Sequence, residues 1–310
     1  MVNQTITPEP AKNYVAPRDE PLKYPGPRPN RSFIVANEMV HPILYDAQET
    51  GEAGSTYAGR VVTGSNGNTQ RIDDFLKSQG KSPLRERYAV LGFGSNPVPG
   101  QLISKFDEDA VVPVIFGVLV DADVVYNLIS AQGYAFAELA LNQHGVKGNV
   151  AITFLDSDQL QIMNETEQNY NLAFVPRDVI LESGEKVRGG ENNVPGLFYA
   201  GKRKIWVPEG YDTPIAIAEL PSVGRTAIAL NQERTLDLIV KKFELYKRGI
   251  NSGKELSQHI RTEATEHRPD KVKDYLQRSV AEDPRSLEPV SSQVYILNNP
   301  KAPPKVFGDN

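Results

Sequence analysis

Between residues 87 and 220 the apolar positions come in short runs broken by glycines and polar turns, a spacing that favours strands over helices. Strands are expected at Arg87 to Leu91, Val111 to Val120, Phe136 to Leu141, Lys147 to Phe154 and Tyr170 to Pro176. Later ones are expected at Leu197 to Ala200, Lys204 to Val207 and Pro214 to Leu220. Pro113 cannot donate to a ladder, so pairing of the second strand is expected to begin at Val114. Helical spacing interrupts the strands only at Pro99 to Phe106 and Asp156 to Glu167. Mostly strands with a few short helices predicts an α+β or barrel-like core and not an alternating parallel sheet.

The flanks have a different texture. Seven prolines between Thr7 and Arg31 preclude a helix or central strand there, which predicts an extended tail draped over the domain. Phe33 to Tyr45 is apolar enough to pack. Gly51 to Gly67 reads as turns around a short strand at Arg60-Val61-Val62, and Gln70 to Ser78 as a helix with Ile72, Phe75 and Leu76 on one face. After Leu220 the period becomes helical: Asn231 to Lys247, closed by Gly249, then Ser252 to Arg261 and Lys271 to Val280. From Pro284 onward the chain reads as a second tail. The expected organisation is a tail over 1–31, an extension packed on the core over 32–87, a core over 88–248, and a helical extension with its tail over 249–310.

Composition narrows the function. The 310 residues carry a formal net charge of -5 and no cysteine. The acidic balance argues against a nucleic-acid binder, since Lys202-Arg203-Lys204 and Lys241-Lys242 are short clusters. The lack of cysteine removes disulfides, thiolate metal sites and a cysteine nucleophile. No apolar run reaches the ~20 residues of a membrane span, and the first residues lack the pattern of a signal peptide. The expectation is a soluble cytoplasmic protein with no membrane partner. His41, His144, His259 and His267 have no metal-ligand spacing, so no metal site and no zinc hydrolase are expected.

The most informative stretch is Tyr88-Ala-Val-Leu-Gly-Phe-Gly-Ser-Asn-Pro-Val-Pro99, a hydrophobic strand that runs through glycines into a helix start. Glycines allow a close backbone approach, and a helix start offers unpaired N–H groups, so Gly92, Phe93, Gly94, Ser95 and Asn96 form a candidate anion-binding turn. Ser95 or Asn96 serves as readily as an ordinary helix cap. A dinucleotide loop is disfavoured because Pro97 stands at the third glycine position, and a nucleophile elbow because Phe93 and Pro97 stand at both of its glycines. Gly64-Ser65-Asn66 repeats the tripeptide, but beside Gly67-Asn68 it reads as an ordinary turn.

Strand, aromatic-Gly-Ser-Asn and helix, in that order, resemble the Tyr-Gly-Ser-Asn signature of γ-glutamylcyclotransferase-like proteins. The resemblance continues through Tyr134-Ala-Phe-Ala-Glu-Leu139, Gly145-Val-Lys-Gly-Asn-Val-Ala-Ile-Thr-Phe154, Asp156-Ser-Asp-Gln-Leu160 and Met163-Asn-Glu-Thr-Glu167-Gln-Asn-Tyr170. It spans roughly Tyr88 to Leu245, about half the chain. Phe93 stands where the signature has tyrosine, Pro97 replaces an apolar residue, and Gln168 replaces a glycine. The resemblance implies a small mixed β-barrel with flanking short helices, Glu167 as acid/base, and Tyr170 beside the substrate. It implies a γ-glutamyl compound or other small anion as ligand and no cofactor. The reaction implied is cyclisation to 5-oxoproline with release of an amine. Met163, Phe154 and Phe174 are candidates for an apolar wall around Glu167, and Glu138 is a second possible acid. A non-catalytic anion-binding or scaffold protein of the same fold is the alternative. An unrelated strand-rich protein whose C-terminal helices mediate assembly is the third reading.

Overall fold

The computed structural model describes residues 6–45, 58–175, 177–187, 196–266 and 271–297. The expected turns at 51–57, Pro176, His267 and the tail beyond 297 lie outside these. The centre of the molecule is strand β7 (Lys147–Leu155), flanked by β3 (Tyr88–Gly92) and β4 (Val112–Val120), both antiparallel to it. Beyond β3 the sheet continues through β9 (Leu197–Gly201), parallel to it, to antiparallel β8 (Tyr170–Phe174). Beyond β4 lie β1 (Phe33–Ala36) with β2 (Met39–Leu44), and the short strand Val179–Leu181. A hairpin of β5 (Ala122–Ile129) and β6 (Ala135–Leu141) leaves β4 through Asp121, whose φ is 53°.

The class is therefore α+β, with a large, mostly antiparallel sheet. The barrel expectation is corrected: the sheet does not close. No ladder joins β6 to β9 among the described residues. Instead the fully buried Glu138 of β6 is packed against the backbone of Gly201, at the end of β9. A Cβ at 201 would collide with Oε2. A side chain occupies the place of a ladder.

Strand β4 already faces β1 from Val112, with Pro113 opposite Ile34, while β7 joins only at Val114. The expected start therefore holds on the β7 side alone. Strand β5 escaped the sequence pattern although all eight of its residues are buried. Its Asp123 and Asn127 break the apolar run. Asp123 is tolerated inside because Arg225 grips it twice at 2.7 Å and Ser222 adds a third bond at 2.7 Å. The expected strand at Lys204 to Val207 reduces to one bridge, Ile205 to Leu287, and that at Pro214 to Leu220 to Ala216–Ile217.

Six α-helices occur among the described residues: α1 (Ile72–Ser78), α2 (Pro99–Phe106), α3 (Ser157–Thr166), α4 (Gln232–Lys242), α5 (Gly253–Thr265) and α6 (Lys271–Glu282). None is long and apolar enough to cross a membrane. The chain expected to be helical to Lys247 breaks at Glu244, with φ 51°, and finishes as a 3-10 turn before Gly249. The proline-containing N-terminus holds two 3-10 turns and buries Ala11, Ala16 and Tyr24. Beyond Pro284, Leu287 and Ile296 bridge to Ile205 and Ala173.

One buried cation fixes the layers. Arg87, with no exposed surface, donates from Nη1 to the carbonyls of Val111 and Phe154 (3.1 and 3.2 Å) and to Gln159 Oε1 (3.3 Å), and from Nε to Ser82 O (3.2 Å). Desolvation pulls its pKa down, partly offset by Asp156. Gln159 completes a capping box with Asp156, so the same cation orients the start of α3.

Two outcomes follow from these buried charges. Arg87→Met removes the donor shared by four carbonyl-type acceptors and is expected to cost about 3 kcal/mol in urea unfolding. Burial raises the Glu138 pKa from 4.5 to about 8, outweighing the backbone hydrogen bonds that lower it. The folded chain thus holds a proton that the unfolded chain releases, and stability falls as pH rises from about 4.5 to about 8. Glu138→Gln is expected to remove most of that decline, on the order of a few kcal/mol, in unfolding curves at pH 5 and pH 8.

Candidate functional site

The turn that joins β3 to α2 is shaped by steric limits. A Cβ on Gly92 would lie 2.9 Å from Pro97 Cγ, so the strand can enter the turn only as glycine. Gly94 lies against the Tyr24 hydroxyl and within 3.2 Å (from its would-be Cβ) of the Ala137 methyl. The N–H groups of Gly94, Ser95 and Asn96 donate to no protein acceptor among the described residues, whereas Val98 N–H closes the turn onto Ser95 O at 2.9 Å. The helix start does not share this freedom. Gly100 N–H is already taken by Tyr14 O at 3.0 Å, because the N-terminal segment lies across it. The expected cradle is therefore the turn itself, without the first amide of α2.

Glu167 sits at the end of α3, its own N–H bonded to Met163 O at 3.1 Å. Its Oε1 accepts from Asn96 Nδ2 at 3.2 Å and from Lys105 Nζ at 3.0 Å. Lys105 also reaches Asn96 Oδ1 at 3.2 Å, and its side chain is only 4 % exposed. Turn, α2 and α3 thus meet in one polar cluster. Oε2 takes part in neither bond.

A cavity of about 460 Å³ opens beside this cluster, and Gly92, Phe93, Gly94, Ser95, Asn96, Glu167 and Tyr170 all line it. Tyr170 meets Phe136 edge-on, with centroids 6.2 Å apart. Burial, then Glu138 and Glu167, push its pKa well up, so it stays a phenol. The expected wall is only partly right. Met163 packs on Lys105 Nζ (3.0 Å to Sδ), but Phe154 lies in the core and Phe174 stacks on Tyr295 instead. Ile129, Tyr134 and Phe136 supply the apolar lining.

Several lining residues had no signal in the motif. Tyr24 comes from the N-terminal segment, stacks on Tyr134 (4.6 Å, 19°) and accepts Ala137 N–H at 2.8 Å. Burial and the neighbouring Glu167 raise the Tyr134 pKa to about 12, against smaller lowering influences from Arg18 and Ser130. Arg28 donates to Gly94 O, and desolvation brings its pKa down to about 10, so it remains a cation at neutral pH. Gln101 of α2 lines the cavity, is 6 % exposed, and its Oε1 has no partner among the described residues. Arg18, Lys105, Arg203 and Lys273 line the same space against the single carboxylate of Glu167. A cation-rich cavity with free backbone donors and one held carboxylate suits a small anion that also carries a proton-donating group.

No family model, curated protein or solved structure matches the chain.

The tight turn sets an expected outcome. Gly94→Ala drives a methyl into Tyr24 and Ala137 and should cost about 1–3 kcal/mol. Tyr24→Phe leaves the Ala137 N–H without its acceptor and should cost about 1–2 kcal/mol. Urea unfolding of the two variants and of the pair measures both, and their coupling should be less than additive because one contact joins them.

Proposed function

We propose that the chain is a γ-glutamylcyclotransferase-like enzyme, with its catalytic core over 88–248, that releases an amine and 5-oxoproline from a γ-glutamyl compound. The observation that carries this reading is the Glu167 carboxylate, held at Oε1 by Asn96 and Lys105 on the wall of a cavity that the Gly94–Asn96 turn also lines. The resemblance of the Phe93-Gly94-Ser95-Asn96 stretch and its downstream order supports the same assignment.

The reaction asks for three things. The substrate α-carboxylate must be fixed, and the unpaired N–H groups of Gly94, Ser95 and Asn96 suit it. The α-amine must be aimed at the side-chain amide carbon, a task that the Gln101 Oε1 acceptor favours. A proton must then move. The amine nitrogen bonds to the amide carbon as the bond from that carbon to the leaving nitrogen breaks. Glu167 takes the proton from the attacking nitrogen at Oε2 and returns it to the leaving one. Bonds and charges balance with no redox partner. The reading places the reaction in a reducing cytoplasm, in keeping with a chain free of cysteine.

A second reading rests on Lys105. Its ammonium, almost wholly enclosed, is paired with the carboxylate, and Phe93 brings no hydroxyl to the turn. Those features favour a non-catalytic binder of a small anion in the same cavity.

The two separate by experiment. Purified protein incubated with a panel of γ-glutamyl amines is expected to release 5-oxoproline detectable by mass spectrometry. Glu167→Gln should lower kcat ~10²–10⁴-fold, and its unfolding curve should stay cooperative while losing some stability because Lys105 loses its partner. Absence of product across the panel, with ligand-dependent stabilisation still seen, would select the binding reading.

A further inference from the structure

A second cavity, of about 600 Å³, lies where the chain leaving β9 faces α6. Lys202, Arg203 and Lys204 line one side and Arg278 the other, with Asp274 as the only lining carboxylate. The cations are weakly compensated. Lys202 Nζ donates to Gln168 O at 2.9 Å, Arg203 Nη2 to Asn169 Oδ1 at 3.2 Å, and Arg278 Nε to the backbone oxygen of Asp274 at 3.3 Å. All three acceptors are neutral. Lys204 meets Glu288 at a loose 3.6 Å, with the Glu288 side chain 68 % exposed, and Asp283, whose carboxylate is held by Arg285, feels the Lys204 charge only as the smallest of several influences.

Asn127 of β5 also lines this cavity. It is 1 % exposed, and its Oδ1 accepts the Leu128 N–H at 2.8 Å. That bond fixes the orientation of the amide, so the remaining atom, Nδ2, is a donor, and it has no acceptor in the protein. A buried donor left unpaired is costly. Lining a cavity walled by four cations, it calls for an anion that presents several oxygens.

We propose that this cavity is a binding site for a phosphate dianion, free or as a monoester. A carboxylate offers two oxygens and one charge, whereas a phosphate offers three or four oxygens and about two charges at neutral pH, which matches the cation excess and the buried donor together. The site adjoins the Glu167 cavity without including Glu167 and does not depend on cyclisation chemistry. Arg203 and Gln277 line both cavities, so a phosphate held here lies beside any ligand in the first.

Calorimetric titration of the full chain with inorganic phosphate at low ionic strength tests this, since screening would mask it at high salt. One saturable site is expected, with acetate binding at least tenfold more weakly. Lys204→Gln/Arg278→Gln, which alters side chains absent from the first cavity, should weaken phosphate at least tenfold, and Glu167→Gln should leave it within twofold. No saturable binding overturns the proposal, and so does equal affinity for acetate. Phosphate binding that ignores Lys204→Gln/Arg278→Gln but responds to Glu167→Gln would place the anion in the first cavity and overturn it as well. A glucose-type monoester titrated in parallel distinguishes an ester from the free ion. None of these readouts involves 5-oxoproline, so failure here is separable from failure of the enzymatic reading.

Discussion

The arrangement of this molecule depends on the buried guanidinium of Arg87. It precedes β3 and reaches carbonyls at the entry to β4 and the end of β7, together with the capping glutamine of α3. A cation out of water is costly, and here neutral acceptors from four segments converge on its Nη1 and Nε, so each segment is tied to the same charge. The consequence reaches the other end of β3. With β3 and α3 held at their common root, the turn after Gly92 and the C-cap residue of α3 are set facing each other. That is why Asn96 and Glu167, 71 residues apart, come within 3.2 Å.

Closure of the site comes from chain that is remote in sequence. The N-terminal segment occupies the first free amide of α2, lays Tyr24 on Tyr134 and anchors Arg28 on Gly94 O. Helix α6 brings Lys273 and Gln277 to the same cavity. The glycine at 94 is the price of that close packing, since any side chain there would meet the tyrosine hydroxyl. A stretch rich in proline is well suited to this: it has little backbone freedom to lose on docking.

The strands on either side of the turn were legible because their apolar runs are short and uninterrupted, and so was α2, begun by a proline. The candidate residues Phe93 to Asn96, Glu167 and Tyr170 were legible as a motif and spacing, and they line one cavity. What was hidden has a common cause. Strand β5 was obscured by Asp123 and Asn127, and the partner that makes Asp123 tolerable, Arg225, lies 102 residues away. Nothing local marks Lys105 as the partner of Glu167. Barrel closure failed at Glu138, whose burial against Gly201 is a tertiary fact with no sequence period. Local patterns specify local elements; pairings between polar groups that are buried together do not leave a period.

The pair formed by Lys105 and Glu167 decides how the cavity can be used. If the ammonium and the carboxylate neutralised each other completely, the cavity would offer Arg18, Arg203 and Lys273 as attraction and no acid/base. The geometry is less symmetrical than that. Both bonds fall on Oε1, and Asn96, which shares them, is the last residue of the turn that presents its amides to the same space. Lysine and asparagine therefore act as a clamp on one oxygen and leave the orientation of the other defined. A defined second oxygen beside free backbone donors is a requirement of proton transfer between two nitrogens of one bound molecule, and is superfluous for holding an anion. The asymmetry of the clamp, more than the presence of a glutamate, is what weighs toward chemistry.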